Sequence, residues 1–135
     1  MSHLGRRGFV RAAAAAMASP ALADGSGCAE LDGLVSSGNT KVTSEAVAAG
    51  TVVAKGRRGD VVAPRSFCRV QGRINGNIHF EVWLPGKDAW NRKLVVHGNG
   101  ALAGSIGHEG LARTLERGYA AAGTDTGHQT SGTEG

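Results

Sequence analysis

Leu94-Val-Val-His-Gly-Asn-Gly100, followed by Glu109–Arg117 and Tyr119–Gly123, is the stretch that decides the fold. Its first three residues form a continuous apolar run, which is typical of a strand buried on both faces. Apolar residues in the second segment recur at helical spacing, and Gly118 follows it as a C-cap. The third segment predicts another buried strand. Two strands joined by a crossover helix predict a parallel βαβ unit.

The loops of this unit are the expected place for chemistry. In a parallel sheet, ligands are met by the loops at the carboxyl ends of the strands. Gly98–Gly107 and Thr124–Gly132 both follow predicted strands and are rich in glycine or small polar residues. Both loops are therefore in the position where a ligand is expected.

A hairpin is predicted ahead of this unit. Phe67–Ile74 and Ile78–Leu84 are apolar-rich runs separated by Asn75-Gly76-Asn77, and Asn-Gly between strands is a strong hairpin signal. Further upstream, the Val- and Thr-rich segment Lys41–Lys55 predicts one early strand, which ends at the loop Gly56–Asp60.

Composition limits the size of the core and the class of partner. The chain has 135 residues, with three Phe, two Trp and one Tyr, so one small core is expected. Its formal charge is +4, but Arg6, Arg7 and Arg11 lie near the start, and without them 12 basic residues face 11 acidic ones. The remaining charge of +1 excludes a basic surface for nucleic acid.

The first 23 residues are predicted to be a signal peptide. Gly5–Arg11 is a basic region, Ala12–Ala18 is apolar, and Ala21-Leu22-Ala23 fits a signal-peptidase site before Asp24. The apolar segment is too short for a membrane anchor. The mature chain is then 24–135.

The paired arginines of this leader resemble a twin-arginine export signal, and the alternative is an ordinary secretory signal that carries two arginines. Either one predicts a secreted or periplasmic protein. In such an oxidising compartment Cys28 and Cys68 are expected to form a disulfide that anchors a polar arm over Asp24–Gly38. The alternative is that one or both cysteines are free or pair outside this chain.

Several short blocks, in order and in spacing, resemble the tannase and feruloyl esterase family over roughly Cys28 to His128. These blocks are Phe67-Cys68-Arg69-Val70, Phe80–Pro85, Trp90-Asn91, Gly98-Asn99-Gly100, Gly118-Tyr119-Ala120 and Thr124–His128.

The resemblance implies a secreted α/β-hydrolase that cleaves carboxylic esters, often of phenolic acids, through a Ser-Asp-His triad. It implies that residues 24–135 are the N-terminal part of an incomplete α/β-hydrolase fold, with early hairpin strands and then a βαβ unit. The triad and a lid domain, which often carries calcium in this family, are expected beyond Gly135. No catalytic side chain, cofactor or metal site is therefore expected in this chain. The expected ligand is a small aromatic ester, with the oligomeric state open.

The resemblance also assigns a role to the loop after Val96. His97-Gly98-Asn99-Gly100 occupies the place of the His-Gly-Gly-Gly oxyanion loop of related esterases, so the backbone N–H groups of Asn99, Gly100 and Ala101 are the candidate donors. Ala101 departs from the family, which usually has glycine there. The alternative is that these glycines only turn the chain. His97 is expected to brace the loop through hydrogen bonds.

Other residues invite catalytic interpretations that the sequence does not favour. Ser105 sits in an Ala-x-Ser-x-Gly pattern, but about seven residues separate it from the preceding strand, whereas an elbow serine sits directly at a strand-to-helix turn. Asp125 and His128 are too few for a metal site. They are expected to form an Asx turn and to pack beneath the site, respectively. Trp83 and Trp90 are expected to be packing residues.

Two other classes of function remain open. Gly98-x-Gly100-x-x-x-Gly104, with Asp125 about twenty residues on, approximates a dinucleotide-binding fingerprint and keeps an exported nucleotide-binding protein as an alternative. The other alternative is an inactive truncated remnant without catalysis.

Overall fold

The computed structural model describes residues 27–33, 38–100 and 104–128. The predicted signal peptide lies outside these ranges. The described strands and α-helix are β1 (Thr40–Val47), β2 (Val52–Gly56), β3 (Gly59–Val62), β4 (Phe67–Ile74), β5 (Ile78–Pro85), β6 (Leu94–His97), α1 (His108–Glu116) and β7 (Ala120–Thr124). A single 3₁₀ turn, Ala29–Leu31, precedes them.

Five of the strands form one mixed sheet, and the other two form a separate hairpin. The sheet order is β1-β4-β5-β7-β6, and β2 pairs only with β3. The predicted β4–β5 hairpin is confirmed, with Ile74 opposite Ile78 and Phe67 opposite Pro85. Asn75 and Gly76 adopt positive φ values of 52° and 77° at its turn, which asparagine and glycine tolerate better than other residues.

The predicted parallel unit is also confirmed. β6 and β7 pair in parallel, and α1 is the crossover between them. Gly118 has a φ of 85°, and its N–H donates to the Leu115 carbonyl at 2.9 Å while the Tyr119 N–H donates to the Thr114 carbonyl at 3.3 Å. These two bonds form a Schellman motif, which ends the helix where the sequence predicts.

The expectation that Leu94–Val96 is buried on both faces is wrong for the part of the chain that the structure describes. β6 is the edge strand there, because its only partner is β7. Leu94 is 56% exposed and Val96 is 66% exposed, whereas Val95 is half-buried. Although Leu94–Val96 is a continuous apolar run, the described residues cover it on one face only.

The single strand predicted over Lys41–Lys55 is two strands. The chain turns between β1 and β2, where Gly50 has a φ of 85° and the Thr51 N–H donates to the Ala48 carbonyl at 3.2 Å. β1 joins the large sheet, and β2 leaves it to pair with β3. Valine recurs in both strands, and the sequence pattern alone does not show the turn.

The core lies between one face of the sheet, α1 and the β2–β3 hairpin. Trp83 and Phe67 stack at a ring-centroid distance of 4.6 Å, and Leu111 and Leu115 of α1 are fully buried with them. The hairpin adds Val61 to the same cluster. This packing holds α1 over the sheet. The loop after β6 must therefore end where α1 begins.

The segment before β1 covers the outer edge of the sheet. Cys28 and Cys68 form a disulfide. Beyond it, Asp32 Oδ1 accepts the Ser44 N–H at 3.2 Å, and the Gly33 N–H donates to the Val42 carbonyl at 3.3 Å. These bonds occupy backbone groups on the open side of β1, which would otherwise be available for pairing with another strand.

Candidate functional site

The two loops at the carboxyl ends of β6 and β7 lie side by side. The Asn99 side-chain Nδ2 donates to the Thr124 carbonyl at 2.5 Å, which joins the loop after β6 to the last residue of β7. Asn99 is half-buried by this contact, whereas Gly98 and Gly100 beside it are exposed. Asn99 therefore links the loop after β6 to the end of β7.

The glycines of this loop leave space for a ligand. A Cβ built on Gly98 or Gly100 would have no atom within 4 Å, and neither residue has a positive φ. Their conformation therefore does not require glycine, but the absence of a side chain lets another molecule approach the backbone closely. Ala101, the third candidate donor, lies outside the described residues.

His97 connects the end of β6 to α1. Its Nε2 lies 2.8 Å from Thr114 Oγ1, and a Cβ on Gly110 would lie 3.2 Å from its Nδ1, so the ring sits directly against the helix. Gly110 is what permits this close approach. His97 thus braces the helix over the strand end, and through it the loop that joins them.

Asp125, directly after β7, is a buried carboxylate held on both oxygens. Its Oδ1 accepts the Gly127 N–H at 2.9 Å, the expected Asx turn, and the His79 N–H at 2.8 Å. Its Oδ2 is 2.8 Å from His79 Nδ1. Because Arg73 Nε donates to His79 Nε2 at 2.9 Å, Nδ1 carries the proton of the neutral ring and donates to Asp125.

These contacts bear on the other roles considered for Asp125. It is 2% exposed, so it is not presented to a ribose as the dinucleotide fingerprint requires.

His128 is exposed, and the expectation that it packs beneath the site is wrong. Within the described ranges, no group of three or more His, Cys, Asp or Glu side chains could hold a metal ion.

Glu81, in the middle of β5, is the second buried carboxylate and was not singled out from the sequence. Arg69 donates to it from Nε at 2.9 Å and from Nη2 at 2.7 Å, and Trp83 Nε1 donates at 2.7 Å. Gln71 Nε2 and His108 Nε2 reach it at 3.3 Å and 3.0 Å. Since His108 begins α1, this carboxylate ties the helix and the end of the glycine-rich loop to the sheet.

The charge of Glu81 should make stability depend on pH. Burial raises its pKa, but hydrogen bonds from His108, Arg69 and Trp83 outweigh burial and lower the pKa from 4.5 to about 2. The folded state therefore favours the carboxylate, which stabilises the fold above pH 4.5 and ceases to do so as the pH falls toward 2. A shift of this size corresponds to about 3 kcal/mol.

Urea unfolding at a series of pH values from 6 to about 2 would measure this effect. We expect the free energy of unfolding to fall across that range and the Glu81→Gln variant to show a shallower slope. Glu116→Gln, which changes an exposed carboxylate at the end of α1, is the matched control. Equal slopes for both variants would contradict the assignment.

The remaining sequence candidates do not form a catalytic group. Ser105 is exposed in the loop between β6 and α1, eight positions after His97. Trp83 is completely buried and Trp90 is 43% exposed, with its Nε1 donating to the Lys93 carbonyl at 3.0 Å. Both tryptophans are therefore tied into the fold.

Two grooves open beside the glycine-rich loop. The larger, of about 600 Å³, lies between this loop, the start of α1 and the tip of the β2–β3 hairpin. The smaller, of about 310 Å³, lies between Ser105–Ile106 and the face of β5 that carries His79 and Glu81. None of the helices in the described ranges is both long enough and apolar enough to span a membrane.

The fold is that of solved esterases. The crystal structure of an esterase from Aspergillus oryzae superposes with a TM-score of 0.67 at 24% identity, over 80% of this chain and 23% of that one. Feruloyl esterase B from Aspergillus oryzae superposes with a TM-score of 0.59 at 24% identity, over 70% of this chain and 21% of that one. The described residues thus form part of an esterase-type α/β fold.

Comparison of the sequence identifies the family of the chain. The sequence model of "Tannase and feruloyl esterase" matches residues 30–134, and the chain belongs to this family. An uncharacterized esterase of Xanthomonas campestris pv. campestris is 41% identical over 70 residues, which make up 49% of this chain and 12% of that protein. The chain therefore spans a small part of the length of each of these relatives.

Proposed function

We propose that the protein carrying this chain is a carboxylic ester hydrolase that acts on esters of aromatic, phenolic acids. Its Ser-Asp-His triad would lie outside the 135 residues, and residues 24–135 would form the front of the catalytic domain. Family membership and the esterase relatives support ester hydrolysis. The name of feruloyl esterase B among the structural neighbours supports an aromatic acid as the acyl group.

The observation that carries the proposal is the anchored loop after β6. Acyl transfer builds negative charge on the ester's carbonyl oxygen, and backbone N–H groups held in place stabilise that charge without reorganising. Asn99 ties this loop to β7, and His97 braces the helix behind it. Asn99, Gly100 and Ala101 are the donors we assign to the oxyanion, with the nucleophilic serine supplied by the rest of the protein.

The same proposal includes export. The disulfide between Cys28 and Cys68 fits an oxidising compartment. We propose that residues 1–23 direct the protein to the periplasm or outside the cell, with Arg6 and Arg7 as the pair of a twin-arginine signal.

Steady-state kinetics of the full-length protein on methyl esters of aromatic and aliphatic acids tests the proposal. Aromatic esters should be hydrolysed faster, and a fluorophosphonate that labels active serines should abolish the reaction. Asn99→Ala removes the tie to β7, and since a displacement of about 1 Å at a reacting centre can cost about a hundredfold, we expect kcat to fall by up to that factor with KM little changed.

Asn91→Ala is the control for this variant, because in the described region the Asn91 side chain accepts a local hydrogen bond, from the Lys93 N–H at 3.0 Å. It should leave kcat within about twofold. Absence of aromatic ester hydrolysis in the wild-type protein would contradict the proposed function. Hydrolysis with an unchanged kcat in Asn99→Ala would contradict the role given to the loop.

A further inference from the structure

The larger groove beside the glycine-rich loop has basic side chains from three separate elements. Lys55 comes from β2, Arg57 from the turn after it, and Arg113 from the exposed side of α1. Among the described residues that line it, Glu109 is the single acidic one. The groove therefore has an excess of positive charge, whereas a formal charge of +1 is spread over the whole predicted mature chain.

Two of these basic side chains form no ion pair with the described residues. Lys55 Nζ lies 2.6 Å from Asp60 Oδ1, so that ammonium is paired. By contrast, neither Arg57 nor Arg113 has a carboxylate within 4.0 Å among the residues that the structure describes. Their guanidinium groups are thus able to bind an anion that enters the groove.

The tip of the β2–β3 hairpin lies against the first turn of α1. A Cβ on Gly56 would lie 2.5 Å from Glu109 Oε1, the end of a flexible side chain, so this carboxylate sits beside the hairpin backbone. Arg57 is the next residue, and it lines the groove at this junction of two separate elements.

The groove also reaches the proposed reaction centre. Gly98 and Asn99, at the start of the candidate oxyanion loop, belong to its lining, as does Ser105. Its volume of about 600 Å³ falls in the range of small-molecule sites. A group bound in the groove would therefore lie next to an ester placed on the loop.

We propose that this groove is an anion subsite that binds a carboxylate of the substrate, with Arg57 and Arg113 as its recognition residues. The inference rests on the proposed function and deepens it, since it selects aromatic esters that carry a negative charge. A guanidinium presents parallel N–H donors that match a carboxylate, which gives orientation as well as affinity. A neutral group of the same shape would lack this match.

Calorimetric titration of the full-length protein with benzoate and with benzamide, its neutral isostere, tests the subsite. Arg57→Gln and Arg113→Gln should each weaken benzoate binding about fivefold, the size expected of a solvent-exposed charged contact, and leave benzamide unaffected. The benzoate affinity should also fall as salt is added.

Each arginine has a matched control in the chain. Arg58→Gln changes the other arginine of the same turn, and Arg117→Gln changes the residue that caps α1, and neither of these positions lines the groove. Both controls should keep benzoate affinity within about twofold. Equal losses in the controls, equal binding of benzamide, or no binding of benzoate would each overturn the subsite.

Binding is measured without turnover, which separates the two proposals. Arginine-dependent benzoate binding in a protein that hydrolyses no ester would overturn the proposed function and leave the anion site standing. Aromatic ester hydrolysis without any arginine-dependent binding would overturn the subsite alone.

Discussion

Replacing Glu81 by alanine is expected to lower the free energy of unfolding by about 3–5 kcal/mol. The carboxylate accepts hydrogen bonds from four side chains, and its removal leaves the Arg69 guanidinium, which is 13% exposed, without its close partner. The Glu45 carboxylate, 3.7 Å from Arg69 Nη1 and 57% exposed, cannot replace it. Urea or thermal unfolding would measure the loss.

Comparison of Glu81→Gln with Glu81→Ala should separate the contribution of the charge to stability from that of side-chain packing. Glu81→Gln keeps a similar volume and one acceptor oxygen but removes the charge, so its loss should be smaller than that of Glu81→Ala. Glu116→Ala, on the exposed end of α1, should change stability by less than about 0.5 kcal/mol. If Glu81→Ala unfolds with the wild-type free energy, the carboxylate does not anchor the helix to the sheet.

Loss of the disulfide should have an effect of similar size. Cys28 and Cys68 are 40 residues apart, and closing a loop of that length restricts the unfolded chain by about 4 kcal/mol in the chain-entropy model. The double variant Cys28→Ser/Cys68→Ser should therefore unfold about 4 kcal/mol more easily than the oxidised protein. A reducing agent should lower the wild-type value to a similar level and leave the variant unchanged.

The same variant should expose the outer edge of the sheet. The disulfide holds the segment whose Asp32 and Gly33 bond to β1, so its loss frees the Ser44 N–H and the Val42 carbonyl. An uncovered edge strand pairs readily with other chains, and light scattering should show more association in the variant than in the oxidised protein. A monodisperse variant with unchanged stability would contradict both expectations.

Several features fixed by local geometry were predicted from the sequence, although the turn at Gly50 was not. Asn75-Gly76 specifies the β4–β5 hairpin because these residues tolerate positive φ, and Gly118 specifies the end of α1 for the same reason. The parallel β6–α1–β7 unit follows from the period and length of its segments. The resemblance to the tannase and feruloyl esterase family rests on short sequence blocks between Phe67 and His128. The family match extends over residues 30–134.

Candidate site residues were predicted less completely. Asn99 and Gly100 lie in the loop that was singled out, but their role as oxyanion donors, together with that of Ala101, stays a prediction. The tie from Asn99 to Thr124 was not foreseen, since a side-chain bond between residues 25 apart leaves no periodic signal. Arg57 and Arg113 likewise show no pattern in the sequence that would place them in one groove.

By itself the sequence determined most of the local elements, because turns, helix ends and apolar periods depend on residues close together in the chain. It also indicated the cysteine pair, through the oxidising compartment that the leader predicts, and the family, through short blocks in order along the chain. The tertiary structure decided the hydrogen bonds between distant side chains. Glu81 meets His108 across 27 positions, and His79 meets Asp125 across 46, only because strand register and the return of the crossover bring them together. Within the described residues it also decided which face of β6 is covered, since burial of a strand depends on which neighbours pack against it.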